Sequence, residues 1–247
     1  NSFSKTDPDD TFMRMKEDHM KNGQLKAAYN LQIATENQFV LHYDVFSNPT
    51  DTKTLLPLLE TYLHELKTVV ADAGYGSEEN LLRLDEKEVN HLIKYAMFDK
   101  EQKRGYKQSD RNLANWHYDD KEDSYTHPDG WYYRFHHIKH QKTQTDFQQE
   151  IKVYYADEPE AAPQKGLYMN ERYQNLKAKE CQALLSPEGR QIFAQRKIDV
   201  EPVFGQIKAC LGYKRCNLRG KRQVRIDIGL VLMANNLLKY NKRTTQN

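Results

Sequence analysis

Two side chains in the stretch from Arg190 to Lys208, RQIFAQRKIDVEPVFGQIK, have types and spacing suited to chemistry. Glu201 precedes Lys208 by seven residues, about two turns at ~100° per residue, so on a helix the carboxylate and the ammonium lie nearly over one another. A carboxylate at the rim of a core, with a cation two turns on, suits holding a divalent metal beside a nucleic-acid phosphate. An ordinary surface Glu–Lys pair has the same spacing. A second acid, Asp72, follows the short apolar run Val69-Val70-Ala71 in TVVADAGYGS. In open α/β sheets chemistry collects at the carboxyl ends of strands; the alternative is a turn aspartate serving the connection to Gly74.

The elements that must position these residues are legible as patterns. Phe193, Val200, Val203, Phe204, Ile207 and Leu211 recur at three- and four-residue intervals, which predicts a helix with one buried face. Ser186-Pro187 is a cap followed by a proline at the first turn. Pro202 predicts a kink beside Glu201 or a new helix start near it. Upstream, AYNLQIAT and FVLHYDVF read as a hairpin turning at Glu36-Asn37-Gln38. Leu55, Leu58, Leu59, Tyr62, Leu63 and Leu66 predict a helix capped by Thr50-Asp51 and covering one face of the sheet. Val69-Val70 reads as a short buried strand, Ser77 caps a helix over SEENLLRL, and Val89, His91 and Ile93 alternate as a further strand.

The resulting order predicts a mixed α/β sheet layered with helices. Residues 1–26 read as a polar linker or arm with a short Met- and Lys-rich helix candidate, and 27–99 as the first part of the α/β domain. Residues 100–165 are rich in aromatics and contain WYYRFHHI and QQEIKVYY, which predicts a β-rich insertion. His136, His137 and His140 invite a metal reading, but on a regular strand 136 and 137 point to opposite faces, so no coherent ligand set is expected. Residues 166–243 form a helical C-terminal part, and its last helix, with the apolar run Ile228 to Ala234, is expected to be buried against the sheet.

The chain has a net charge of +2, but from Arg190 to Arg243 there are 13 Lys/Arg against three acids, leaving 24 against 32 elsewhere. This asymmetry turns the C-terminal fifth toward a polyanion. Lys214, Arg215, Arg219, Lys221, Arg222 and Arg225 crowd around Gly220, either as a solvated basic loop or as a surface for DNA phosphates. Cys181, Cys210 and Cys216 form no paired C-x-x-C spacing, so neither a disulfide framework nor a zinc site is expected. No apolar run reaches the ~18–20 residues of a membrane span, and no signal-peptide pattern opens the chain, so a cytoplasmic location is expected. Opening on Asn1 rather than methionine, the chain is expected to be a processed product or the C-terminal part of something longer.

Thr6-Asp7-Pro8-Asp9, Tyr29-Asn30-Leu31-Gln32, Ala71-Asp72-Ala73-Gly74-Tyr75, Arg196 with Val200-Glu201-Pro202-Val203-Phe204-Gly205-Gln206-Ile207-Lys208, Arg219-Gly220 and Asn235-Asn236-Leu237 follow one another through most of the chain. Together they resemble bacterial insertion-sequence transposases with an Asp-Asp-Glu metal site on an RNase H-like fold, of the group with a β-rich insertion before the glutamate helix. The resemblance implies Asp72 as the second metal-binding acid, Glu201 as the third and Lys208 as the basic partner in an E-x6-K pattern. It implies two Mg²⁺ or Mn²⁺ ions, double-stranded DNA at element ends and in the target, a homodimer when active, and a bacterial, nucleoid-associated location. It also implies a first aspartate on a strand upstream of the Thr6–Asp9 element, which this chain begins too late to contain. Arg196 stands where relatives carry the arginine of Y-x2-R-x3-E, here shifted by one residue, and the resemblance implies it as a DNA-binding residue together with Lys208. The rival readings are a catalytically inactive DNA-binding fragment and an RNase H-like nuclease.

Overall fold

The structure, a computed structural model, describes residues 4–14, 23–62 and 64–245. Strands β1 (Thr11–Arg14) and β2 (Leu25–Ala28) pair antiparallel. The segment expected as a linker or arm thus includes a paired strand; most of its helix candidate lies outside the described residues. Next, β3 (Asn30–Glu36) and β4 (Phe39–Phe46) form the expected hairpin. Its turn residues Asn37 and Gln38 take φ of 51° and 68°, the left-handed pair that a two-residue hairpin connection requires.

The helix expected over Leu55–Leu66 is only α1 (Leu55–Leu59), preceded by a 3-10 turn at Asp51–Lys53. Thr50 makes no capping hydrogen bond, and the Asp51 carboxylate is drawn instead to the amides of Asn30 and Gln32. Leu55, Leu58 and Leu59 are buried as the periodicity demands, Tyr62 is exposed, and Leu63 lies outside the described residues. Strand β5 (Thr68–Ala71) then runs parallel to β6 (Asn90–Ile93) through α2 (Glu78–Glu86), with Ser77 Oγ accepting the Asn80 N–H at 3.2 Å.

After two short helices, α3 (Phe98–Glu101) and α4 (Arg104–Lys107), come β7 (His117–Asp119), β8 (Ser124–Thr126), β9 (Tyr132–Lys142), β10 (Gln148–Ala156) and β11 (Gly166–Met169). They form one antiparallel sheet in the order β11-β10-β9-β8-β7. It has its own core of Trp116, Tyr133, Tyr154, Ala156 and Met169, consistent with an aromatic-rich insertion that folds on itself. Helices α5 (Glu171–Leu185), α6 (Pro187–Ala209) and α7 (Lys221–Thr244) complete the chain. Helix α6 is capped by Ser186 Oγ on the Gly189 N–H at 2.9 Å. It runs on through Pro202 without the new start that the proline suggested.

The three long helices lie across the strands in sequence. Helix α7 packs on β4, α6 on β4, β3 and β5, and α5 on β6. The lateral order beneath them is therefore β4-β3-β5-β6. One core joins Val40 and Val45 to Val203, Ile207, Val224, Ile228 and Leu232; a second joins Val69, Ala71 and Ile93 to Leu55, Leu81, Leu84 and Leu176. The expected mixed sheet exists in two halves: β3 is hydrogen-bonded to β4 and β5 to β6, with no ladder between β3 and β5 among the described residues. Helix α6 is the element that packs on both halves.

The apolar run Ile228–Ala234 is buried on one side only. Ile228 and Leu232 are buried while Leu230 and Met233 are exposed, because a helix laid on one face of a sheet can hide only one stripe. No helix among the described residues is long and apolar enough to cross a membrane.

The N-terminal acids have a structural task. Asp7, buried to 5 % exposure, accepts the Gly220 N–H at 2.8 Å and the Tyr29 hydroxyl at 2.7 Å. Asp9 accepts the Lys221 N–H at 2.9 Å. Helix α7 has no acid in its own first turn, so these two carboxylates complete its positive end from a distant part of the chain. Burial alone raises the Asp7 carboxyl, but the Gly220, Tyr29 and Asp9 donors and the Arg219 charge outweigh it and hold it below its ordinary value of 3.8. A depressed folded value gives stability that is present above the unfolded value and lost as pH falls through the folded one. Asp7→Asn is expected to cost about 1–2 kcal/mol at pH 7, measured by urea unfolding, with the difference from the parent shrinking as pH falls below 3.8.

Candidate active site

Asp72 stands at the carboxyl end of β5, where Ala71 is buried beneath it and the chain turns away through a 3-10 turn at Ala73–Tyr75. Its Oδ1 accepts the Gly74 N–H at 3.1 Å, and its Oδ2 accepts from Arg196 Nη2 at 2.7 Å. The Asp72 side chain is half exposed and that of Arg196 mostly buried. A fixed cation from α6 therefore holds a solvent-facing carboxylate at a strand end. The turn beyond has no slack: a Cβ on Gly76 would lie 2.2 Å from the Lys94 carbonyl oxygen, so only glycine lets this connection pass so close to the segment after β6.

A carboxylate that the sequence reading passed over lies beside Asp72. A Cβ on Gly74 would sit 3.1 Å from Asp51 Oδ2 and 3.3 Å from Asp72 Oδ1, so the two acids flank one glycine. Asp51 Oδ1 accepts the Asn30 and Gln32 amides, each at 2.8 Å. Gln32 Oε1 in turn accepts the Tyr75 hydroxyl. Burial first, and then the charges of Asp51 and Asp72, push the Tyr75 hydroxyl far above its ordinary range, so it remains a donor. Asp51 was hidden because Thr50-Asp51 before a leucine periodicity has the form of a helix cap. Its contacts to β3 are tertiary and leave no local signature.

Glu201 is exposed on α6. Arg196 lies five residues before it, about 7.5 Å along the axis and ~140° around it. The buried Val203 and Ile207 lie at ~200° and ~240° from Glu201 by the same count. Arg196 thus shares the core-facing side of α6, and Glu201 leaves it on another. The structure brings together Asp72, Arg196 and Asp51; it shows no contact between Asp72 and Glu201 among the described residues. Lys208 is exposed in the last turn of the same helix.

The basic residues divide. Lys214, Arg215 and Arg219 lie exposed on the loop between α6 and α7, and Arg222 is exposed in the first turn of α7. Lys221 places its ammonium 5.5 Å from the Phe46 ring centre, and Arg225 is bridged to Asp44 at 3.3 Å. The loop is anchored by Asp227, which accepts the Tyr213 hydroxyl at 2.8 Å and the Asn217 N–H at 3.2 Å.

As metal ligands, Asp51 and Asp72 fit in kind: they are hard oxygen donors, held by hydrogen bonds, adjacent at the open end of a strand. No group of three metal-capable side chains among the described residues includes Asp72 or Glu201. The one such group is Asp110, His127 and Asp129 in the insertion, where His127 Nδ1 already accepts the Asp129 N–H at 3.1 Å. The expectation that His136 and His137 point apart is corrected by a bulge. His137 registers with Val153 and Phe135 with Tyr154, leaving His136 as the extra residue, and the two Nδ1 atoms lie 2.7 Å apart. His140 lies beside Glu150 instead, at 3.6 Å.

Compared with known proteins, residues 3–237 match a family model described as a transposase DDE domain. No curated protein and no solved structure matches the chain.

Proposed function

From the chain's membership of the transposase DDE domain family, we propose that it carries the second and third acids of a metal-dependent DNA-cleaving and strand-transferring site. Asp72 is the second acid and Glu201 the third. The observation that carries this reading is the Asp72–Arg196 ion pair at 2.7 Å, which ties the strand-end carboxylate to the helix that bears Glu201. A pair of divalent ions, Mg²⁺ or Mn²⁺, bound between such carboxylates would stabilise the entering and leaving oxygens of a phosphodiester exchange. Arg196 holds Asp72 in place, and Asp51 adds negative charge beside it.

Glu201 needs a local adjustment to meet Asp72. In the relatives' spacing an arginine and a glutamate four apart share a helix face; here they are five apart. Pro202 removes one helical hydrogen bond just where a one-residue bulge would turn Glu201 back toward Arg196. The first acid would come on an extended segment pairing between β3 and β5, which share no ladder among the described residues and sit next to Asp51 and Asp72.

Lys208, Lys214, Arg215, Arg219, Lys221 and Arg222 grip phosphates of double-stranded DNA at element ends and target, in a homodimer acting on bacterial DNA. The second reading, a DNA-binding fragment inactive by itself, is favoured by the same split sheet. The test is a nicking and joining assay on element-end DNA. The chain from Asn1 is expected to bind with steep salt dependence and no Mg²⁺-dependent nicking; a chain extended upstream by an acid-bearing strand is expected to nick and join. Robust nicking by the shorter chain would reject the missing-acid account, and hydrolysis without joining by the longer one would make the protein a nuclease.

A further inference from the structure

Strand β9 carries Arg134, Lys139, Lys142 and three histidines, and no acid. Strand β8 pairs with it only from Tyr132 to Arg134, with one further bond from the Phe135 N–H. From His136 onward β9 is therefore an open edge, and every residue from His136 to His140 is exposed. Both ends of this run are fixed. At one end Tyr133 and Tyr154 are buried in the insertion's own core. At the other the hairpin tip is tied to the α/β body: Gln149 Nε2 donates to Glu78 at 2.6 Å, Thr145 to Glu79 and Lys53 to Gln144. Glu78, its side chain 2 % exposed, also accepts from Asn170 at 2.7 Å and Arg172 at 2.5 Å. One buried carboxylate thus seats the tip at the start of α2, six residues beyond Asp72.

Two cations border this edge. The register Gln141↔Gln149 and Lys139↔Ile151 puts Lys139 on the face of the ribbon that docks through Gln149, about 7 Å from the docked pair. Its ammonium has no hydrogen bond or ion pair among the described residues. Lys53 stands two residues after Asp51, and the amide that receives it is neutral, so its charge is not cancelled there. The ribbon's own acids are taken elsewhere, Asp146 by Lys142 and Glu150 by His140, each at 3.6 Å. At most about 17 Å of ribbon separates Lys139 from Gln144, the length of about five nucleotides on one strand. A lysine on an open edge also blunts strand addition, but that does not account for Lys53. We propose that Lys53 and Lys139 hold the phosphate backbone of a DNA strand passing along the β9 edge toward Asp51 and Asp72. The inference rests on the reading of Asp72 as part of a DNA-processing site and adds two contacts outside the basic C-terminal fifth.

The test measures binding of the full chain to a labelled random-sequence DNA duplex by fluorescence anisotropy across a salt series. Lys53→Ala and Lys139→Ala are each expected to weaken binding about three- to tenfold and to flatten the slope of log affinity against log salt by about 1. Two controls are expected to stay within about twofold of the parent. Gln144→Ala removes the partner of Lys53 and keeps the charge; Lys121→Ala removes an exposed charge from the turn between β7 and β8, at the far side of the insertion sheet. None of the four side chains is buried, so all variants should keep the parent's circular dichroism and melting temperature. An unchanged slope in either lysine variant, or an equal loss in Lys121→Ala, would overturn the proposal. So would a loss in Gln144→Ala as large as in Lys53→Ala, since the seating of the tip and not the charge would then be what matters. A parent that binds DNA beside unaffected lysine variants removes this inference alone, whereas a parent that binds no DNA removes the DNA reading of the site with it.

Discussion

Asp72→Asn and Glu201→Gln are each expected to lower metal-dependent strand transfer by about a thousandfold, some 4 kcal/mol of transition-state stabilisation, while DNA affinity stays within about threefold. Each substitution keeps the shape of the side chain and removes the negative charge that a divalent ion needs. For Asp72 the effect has a second source. Its Oδ2 accepts from Arg196 at 2.7 Å, so the amide also loosens the cation that fixes the strand end to α6. Arg196→Lys separates the two: it keeps the charge but lacks the rigid fork, and is expected to weaken metal affinity less than Asp72→Asn does. Affinity for Mn²⁺ by calorimetry, beside joining rates on element-end DNA in the upstream-extended chain, reads both quantities. Unchanged joining in Glu201→Gln would remove Glu201 from the site and leave Asp51 and Asp72 as the acids to pursue.

His91→Leu is expected to cost about 3–5 kcal/mol of stability, the range for stranding one partner of a buried ion pair. His91 on β6 puts Nδ1 2.5 Å from Glu180 Oε1 and Nε2 3.1 Å from Asp85 Oδ1, with the His91 and Glu180 side chains only 8 % and 2 % exposed. Glu180 of α5 also accepts the Ile93 N–H at 2.7 Å, so it stitches the helix to the parallel strand that lies beside Asp72. Burial lowers the affinity of His91 for its proton, but the contacts to Glu180 and Asp85 outweigh it and raise the imidazole above its ordinary 6.5. A raised folded value gives stability that is complete below 6.5 and lost as pH rises through the folded value. Urea midpoints of the parent should therefore fall on the alkaline side of 6.5, while those of His91→Leu lack that slope. His91→Leu/Glu180→Met should recover part of the loss, since an apolar pair replaces a stranded charge, but not all, because the Ile93 N–H loses its acceptor. A parent whose stability is flat from pH 6 to 9 would show that His91 is not held charged.

Local patterns were reliable where local forces decide. The Asn37-Gln38 turn, the Ser77 and Ser186 caps and the strand ending at Asp72 depend on neighbouring backbone, and all form as read. The leucine periodicity after Thr50 marked the right buried residues and the wrong helix length. Asp51, needed to cap that helix, is held by Asn30 and Gln32 on a hairpin about 20 residues upstream. Alternation on a strand likewise failed at His136, where a bulge that only the pairing with β10 reveals sets two imidazoles side by side.

By itself the sequence determined the α/β character, the aromatic β-rich segment and the charge asymmetry, and it put forward Asp72 and Glu201 as candidates, because apolar period, turn chemistry and charge are written residue by residue. Tertiary structure alone decided that Arg196 holds Asp72, that Asp51 joins it across Gly74 and that Asp7 and Asp9 close the positive end of a helix more than 200 residues away. It also left β3 and β5 without a ladder to one another among the described residues. Such contacts join residues far apart in the chain, and a chain's local preferences carry no record of which distant donor will reach a given carboxylate once the layers have packed.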